Sequence, residues 1–381
     1  MADLVVAGGG PAGSSLAILA GRAGFSVDLF DAARFPREKP CGEGLMPAGV
    51  GALTRLGLAD TAGGQPFAGV RYHGFGVTTE ATFPAPLSAP QDGGPAVHGL
   101  GQRRTVLDAA CLTAARATPG VRVFEGATVE GVVRRAGRAV ALRVDGATVP
   151  GALIVGADGA LSAVRKGLEL DGPPARRPRL GVRMHFRLAA DLDPPRFVEI
   201  FVGGGHELYL TPLPDRQVLV AGLTERGPTG DDALGALRTW IATHPALAER
   251  LRGAEPISGP RGRFPLAHRA LAGVAPGAVL LGDAAGFTDP ITGGGMAQAF
   301  LSAELLARHL PRILRHGDTE WLWRFDRRRR ALLRDYVLLT KLILAAARRP
   351  TWARWTLHAM RAQPRVMRHL VGVAGGLRRL T

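Results

Sequence analysis

The first 31 residues constrain the chain more than any other stretch. An apolar run, Asp3 to Ala7, leads directly into Gly8-Gly9-Gly10-Pro11-Ala12-Gly13. A helical pattern follows, with Leu16, Leu19, Ala20 and Ala23 along one face and a stop near Gly24; a second apolar run then ends on Asp31. Strand, glycine turn, helix and strand form a βαβ opening, which requires a parallel sheet. In that setting Gly8-x-Gly10-x-x-Gly13 permits a tight turn and the close approach of a pyrophosphate to the helix N-terminus, where free N–H groups and the dipole favour negative charge. Asp31 can accept hydrogen bonds from an adenosine ribose. The competing reading is a glycine-rich turn with no ligand.

The pattern changes twice further on. Residues 104–117 read as a helix, and 121–133 and 139–149 as short strands with glycines at their joints. Ala152 to Lys166 reads as a buried strand, a turn at Asp158-Gly159 and a helix start. Asp158, with Ser162 and Arg165 downstream, is either a turn and N-cap or part of a ligand loop. From Arg179, Leu180, Val182, Met184, Phe186 and Leu188 alternate with Arg179, Gly181, Arg183, His185 and Arg187, which predicts a half-buried strand with a solvated basic face. Further strands at 197–202, 207–211 and 217–223 predict an antiparallel sheet. The buried-strand pattern returns at Ala278 to Gly286. There Gly282-Asp283 can hold sugar-alcohol hydroxyls, and Gly293-Gly294-Gly295 opens a helix with Met296, Ala299, Phe300, Ala303, Leu306 and Leu310 on one side. A helix opened by glycines presents N–H groups to an anion or to a ring carbonyl that gains charge on reduction. The expected fold is α/β: a Rossmann-like nucleotide domain in three parts (1–72, 101–178 and 269–317), a mostly antiparallel substrate sheet inserted as 73–100 and 179–268, and a basic helical region at 318–381.

Charge and cysteine content narrow the partners. Lys and Arg number 48 against 32 Asp and Glu, a formal charge of +16 that favours phosphates, lipid headgroups or nucleic acid. No nucleic-acid recognition motif accompanies the charge, so no such partner is expected. No leader is expected at the N-terminus, and the apolar run Val337 to Ala347 is too short to span a bilayer and contains Lys341. Arg-flanked apolar helices with Trp352 and Trp355 suit either a segment lying on a membrane or helices packed on the domain. Cys41 and Cys111 define no disulfide framework, so a reducing cytoplasm is expected, with the inner face of the membrane as a second location. Cys41 lies in a basic, turn-rich loop, "FPREKPCGEGLMP", open to four readings: metal site, nucleophile, cofactor lid or solvated loop. No CxxC or His pair accompanies it, so no metal is expected.

The set GGGPAG, GADG-x-x-S-x-V-R and GDAAG-x-x-DP resembles the FAD-dependent superfamily of single-component aromatic hydroxylases, flavin halogenases and geranylgeranyl reductases, over residues 1 to about 310. The resemblance implies FAD as cofactor, with NADPH or NADH as a transient reductant. It implies cofactor contacts from Gly8, Gly10, Pro11, Ala12, Gly13, Asp31, Arg104, Val129, Asp158, Gly282, Asp283, Pro290, Gly293, Gly294, Gly295 and Met296. "KPCGEGLMP" looks like the Cys-Gly loop of the reductase branch, which implies that Cys41, Gly42 and Gly44 line the flavin ring; Cys41 is the catalytic candidate. Met46, Tyr209 and Pro212 are substrate-contact candidates. The halogenase Trp-x-Trp-x-x-Pro motif is absent, and Thr211-Pro212-Leu213 replaces the Trp and Phe-Pro of prenyl reductases. The activity implied first is oxygen-dependent hydroxylation of an aromatic or polyketide-type molecule, with or without a lipid tail. Saturation of prenyl double bonds in an isoprenoid comes second, and a membrane- or nucleic-acid-binding protein with a vestigial flavin fold third.

Overall fold

Val5, Val6, Leu29 and Ile154 are wholly buried, as expected of central strands covered on both faces. The computed structural model describes residues 1–85, 97–225, 233–316 and 319–380. Its first sheet has a parallel centre in which Ala2–Ala7 lies between Val27–Asp31 and Ala147–Gly156. Val121–Glu125 extends it on one side and Ala278–Leu280 on the other. The helices Pro11–Arg22, Arg104–Ala117 and Gly295–His316 cover one face through Leu16, Leu107, Leu112, Phe300 and Leu306. Each such side chain contributes about 1.5–3 kcal/mol by leaving water. The hairpin Val129–Arg135 and Arg138–Val144 and the short helix Ala163–Gly167 cover the other.

Two expected strands divide differently. Gly126, at φ +73°, ends the strand begun at Val121, and the turn at Asp145 and Gly146, φ +46° and +78°, separates Arg138–Val144 from Ala147–Gly156. The Asp145 carboxylate accepts from the Thr128 N–H at 3.0 Å, which closes the hairpin on itself.

The second sheet is antiparallel except where Val198–Gly203 runs parallel to Gly69–Gly74. Gly69–Gly74 and Val77–Thr82 form its far edge, followed by Val198–Gly203, His206–Pro212, Gln217–Thr224 and Leu180–Arg187. The expected division at 72/73 cuts through the strand Gly69–Gly74; the division at 317/318 and part of the 73–100 segment fall outside the described residues. Helices Ala233–Ala242 and Pro245–Arg250 cover the outer face through Leu237 and Leu247. The helices Thr319–Ala347, Pro350–Ala362 and Pro364–Ala374 close the structure. No helix among the described residues is long and apolar enough to cross a membrane.

On the second sheet's outer side the imidazoles of His206 and His244 meet, Nε2 to Nε2, at 3.2 Å. Burial, then the neighbouring His206 and His73, push His244 down to about 4. An unfolded histidine titrates near 6.5, so between these values the unfolded chain binds a proton that the folded chain refuses. This contribution is therefore complete above about pH 6.5 and is lost as pH falls towards 4. Urea midpoints at pH 7.5 and pH 5 should differ in that direction, and His244→Gln should narrow the difference.

Candidate active site

Three segments distant in sequence meet at the C-terminal ends of the parallel strands. Gly8 leaves its strand at φ +99° with its N–H bonded to the Phe30 carbonyl at 2.7 Å. A Cβ on Gly8 would lie 2.3 Å from the Ala157 carbonyl oxygen, and one on Gly13 would lie 1.9 Å from the Gly8 carbonyl oxygen. The glycines therefore let three backbone stretches cross. The Asp31 carboxylate accepts from the N–H of Gly9 at 2.7 Å and of Ala33 at 2.8 Å, so it orders the turn itself.

The helix Pro11–Arg22 has no side-chain cap and no acidic residue in its first turn. The Arg37 Nη2 atom lies 3.5 Å from where a Cβ on Gly10 would sit, and the Lys39 Nζ atom lies 3.2 Å from the equivalent point at Gly159. Burial first, then the charge of Arg104, lowers the Lys39 pKa. An uncapped helix start beside these cations, one of them disfavoured as an isolated charge, fits a bound pyrophosphate.

The other two motifs are tied together by Arg165. Its Nη2 donates to the Ala160 carbonyl at 2.7 Å, its Nη1 to the Ala284 carbonyl at 3.2 Å, and its Nε to Asp171 at 2.6 Å. Asp158 accepts from Ser162 Oγ at 2.5 Å and from the Val164 N–H at 3.2 Å, so its carboxylate caps a helix while its neighbours Ala157, Gly159 and Ala160 face the cavity. Gly282 packs on the first helix: a Cβ there would lie 3.2 Å from that of Ala12.

The cavity between the two sheets is lined by Gly10, Pro11, Ala12, Cys41, Gly42, Gly44, Met46, Arg104, Tyr209, Gly282, Asp283, Pro290, Gly293, Gly295 and Met296 among the residues singled out from sequence. Gly8, Gly13, Asp31, Val129, Asp158, Gly294 and Pro212 lie outside its wall. Val129 starts a strand of the covering hairpin. A Cβ on Gly101 would lie 1.7 Å from the carbonyl oxygen of Pro212, which belongs to the sheet interior. Gly294 is committed elsewhere: its N–H donates to the Tyr336 hydroxyl at 2.8 Å, and Thr292 Oγ1 lies 2.7 Å from Thr340 Oγ1. The helix Thr319–Ala347 thus clamps the glycine loop. The N–H groups of Gly295 and Met296, in the first turn of their helix, have no intrahelical acceptor. Tyr336 and Thr340 escaped sequence reading because helical periodicity marks only which face is buried.

The basic face of Leu180–Arg187 is not solvated as expected. Arg183 and His185 are buried and only Arg187 is exposed, because the loop around Cys41 folds over them. Arg183 pairs with Glu38, which also bonds Arg103 at 2.8 Å; His185 Nε2 lies 2.7 Å from the Glu43 carboxylate. Nearby, Arg179 binds Glu207 at 3.0 Å and Asp289 at 2.8 Å, and the Tyr209 hydroxyl donates to Glu207 at 3.0 Å. Burial, then the adjacent Glu207, raises the Tyr72 and Tyr209 pKa values, so both phenols stay protonated. Beyond these phenols the wall is apolar: Phe67 from the short strand Gln65–Phe67, and Val70 and Ile200 from the second sheet, face Met360, Met367 and Val371 from the C-terminal helices.

A glycine-crossed βαβ turn, an uncapped helix flanked by cations, and two further loops closing on one cavity define a dinucleotide-binding flavoprotein fold. The chain belongs to the FAD binding domain family, whose match covers residues 1–339. It is 34% identical over 325 residues to the menaquinone reductase of Mycolicibacterium smegmatis, covering 80% of this chain and 75% of that protein. It is 28% identical over 344 residues to a squalene epoxidase of Aspergillus fumigatus, covering 84% and 69%. Among solved structures, a flavoprotein/dehydrogenase from Cytophaga hutchinsonii matches at TM-score 0.82 and 22% identity, over 98% of this chain and 92% of that one. The protein is an FAD-dependent oxidoreductase, and its crossed glycines, uncapped helix and Asp283 loop fit that cofactor.

Proposed function

We propose that this enzyme saturates a carbon–carbon double bond in the isoprenoid chain of a lipid, with NADPH or NADH as reductant. The observation that carries this reading is the far half of the cavity, where Phe67, Val70, Ile200, Met360, Met367 and Val371 offer surface to a hydrocarbon and the tyrosines remain neutral. Similarity to a menaquinone reductase supports it. Bound FAD would supply hydride chemistry. The chain's own part is to hold the alkene, exclude water and deliver a proton to the second carbon as the π bond is spent. Cys41, on the cavity wall beside Arg104, is the candidate proton donor. The second reading, oxygen-dependent attack on a lipid-tailed substrate, is favoured by similarity to a squalene epoxidase and suits the same apolar wall.

The product decides between them. Prenylated quinones and polyprenyl substrates, with alkylated resorcinols alongside, are offered with NADPH and NADH, in air and without it. A gain of two hydrogens in the absence of oxygen is the expected result. A gain of one oxygen that requires air would replace reduction with monooxygenation.

The helices that wall the cavity also supply a surface for the source of such a lipid. Ile343 and Met360 face inwards, while Leu342, Trp352 and Trp355 are exposed, the tryptophans by 53% and 73%. Arg349 stacks over Trp352 at 4.7 Å. Apolar rings set among arginines suit the headgroup layer of an anionic membrane, each basic residue contributing about 1 kcal/mol near the surface. We propose peripheral, salt-sensitive attachment there. Co-sedimentation with anionic vesicles should fall several-fold on replacing both tryptophans with alanine and again at high salt. Equal sedimentation of both proteins would assign these helices to packing alone.

A further inference from the structure

Glu43 holds a left-handed backbone conformation, φ +55°, that a residue with a side chain adopts only when its surroundings enforce it. Four contacts do so. The Glu43 carbonyl accepts from the Gln102 N–H at 3.0 Å, and its N–H points to Cys41 Sγ at 3.4 Å. One carboxylate oxygen accepts from the Arg104 N–H at 3.1 Å, and the other faces His185 Nε2 at 2.7 Å. Glu43 and His185 are both buried.

The imidazole is fixed in one tautomer. Arg183 Nη1 lies 2.9 Å from His185 Nδ1, and a guanidinium can only donate, so Nδ1 is the acceptor and the proton sits on Nε2. Ser258 Oγ, 3.0 Å from Nδ1, lies on the same side, and the Arg183 charge is balanced by Glu38. Two donors, His185 Nε2–H and the Arg104 N–H, therefore converge on the two oxygens of Glu43. A carboxylate satisfies both and a carboxamide cannot.

We infer that Glu43 and His185 are positioning residues: the pair reaches from the second sheet into the loop and holds Cys41 against the cavity. The inference rests on Cys41 acting at that wall, whichever reaction is carried out there. The chain's other cysteine, Cys111, is buried, with its thiol pushed up to about 12 by burial and by Asp108, and serves as an internal control.

The test is the rate at which iodoacetamide alkylates each cysteine of the FAD-loaded enzyme, read by peptide mass spectrometry without any substrate. Glu43→Gln and His185→Phe should each raise the Cys41 rate about tenfold, since each removes a hydrogen bond made by the buried Glu43 carboxylate. Cys111 should stay unlabelled. His185→Gln, which can still donate to Glu43, should bring the rate back towards that of the unaltered protein. A Cys41 rate unchanged or lowered in Glu43→Gln and His185→Phe would overturn the inference. So would a parallel rise at Cys111, or failure of His185→Gln to restore protection. None of these outcomes depends on the product analysis, so the anchor and the proposed reaction can fail separately.

Discussion

Gly13→Ala is expected to purify with little or no flavin, whereas the unaltered protein should be yellow and release FAD on heating. A Cβ at this position would lie 1.9 Å from the Gly8 carbonyl oxygen and 3.1 Å from its carbon, and both are backbone atoms that no rotamer change can withdraw. Gly8 cannot yield, since its own Cα faces the Ala157 carbonyl on the far side. The clash exceeds ordinary overpacking, which costs about 1–3 kcal/mol, and relieving it displaces Gly10 to Ala12, the part of the turn that lines the cavity. Gly259→Ala is the control, because nothing lies within 4 Å of the added atom. The ratio of released FAD to protein measures both variants. Normal flavin content in Gly13→Ala would remove the glycine crossing from the account of cofactor binding.

The second large effect is expected at Arg104. Its guanidinium grips Asp108 through two bonds of 2.7 and 2.6 Å, Asp108 is buried, and among the described residues Arg37 also pairs with that carboxylate at 2.9 Å. Arg104→Ala leaves a buried carboxylate with half its partners, which typically costs about 3–5 kcal/mol; the surviving Arg37 points to the lower end. Denaturant unfolding should show this as a lowered midpoint. Replacing Arg104 by Met together with Asp108 by Leu should recover part of the loss, because it removes the buried carboxylate itself, while Arg37 gives up its ion pair at a partly exposed position. Stability unaffected by Arg104→Ala would show that the ion pair contributes little to the fold.

How much of this was legible beforehand follows from the range of the interactions involved. The βαβ opening, the helix at 104–117, the alternation from Leu180 and the apolar stripe from Met296 to Leu310 are short-range patterns. Each follows from periodicity that neighbouring residues carry together; the structure reproduces the elements, although the strand from Leu180 is buried on both faces where the alternation predicts one. The glycine positions were readable too, because a crossing of backbones tolerates no other residue. The strand break at Gly126 was readable only in retrospect, since a glycine joint can continue a strand as easily as end it.

The use of the polar residues was not readable. Period-two alternation places Arg183 and His185 on one face of a strand, but it cannot say that residues 38–43 will cover that face. Asp31 and Asp158 were identified as aspartates at strand ends, but only the fold shows their carboxylates bound to their own turns. Gly294 was recognised as part of a glycine run, and the tertiary structure gave its N–H to Tyr336 instead of the cavity. The sequence by itself thus determined the nucleotide-binding sheet, the inserted second sheet and the family. The tertiary structure alone decided which charges are buried and which partner each one meets, because burial of groups such as Arg183 and His185 depends on a segment far away in the chain, residues 38–43, closing over them, and no local pattern encodes that closure.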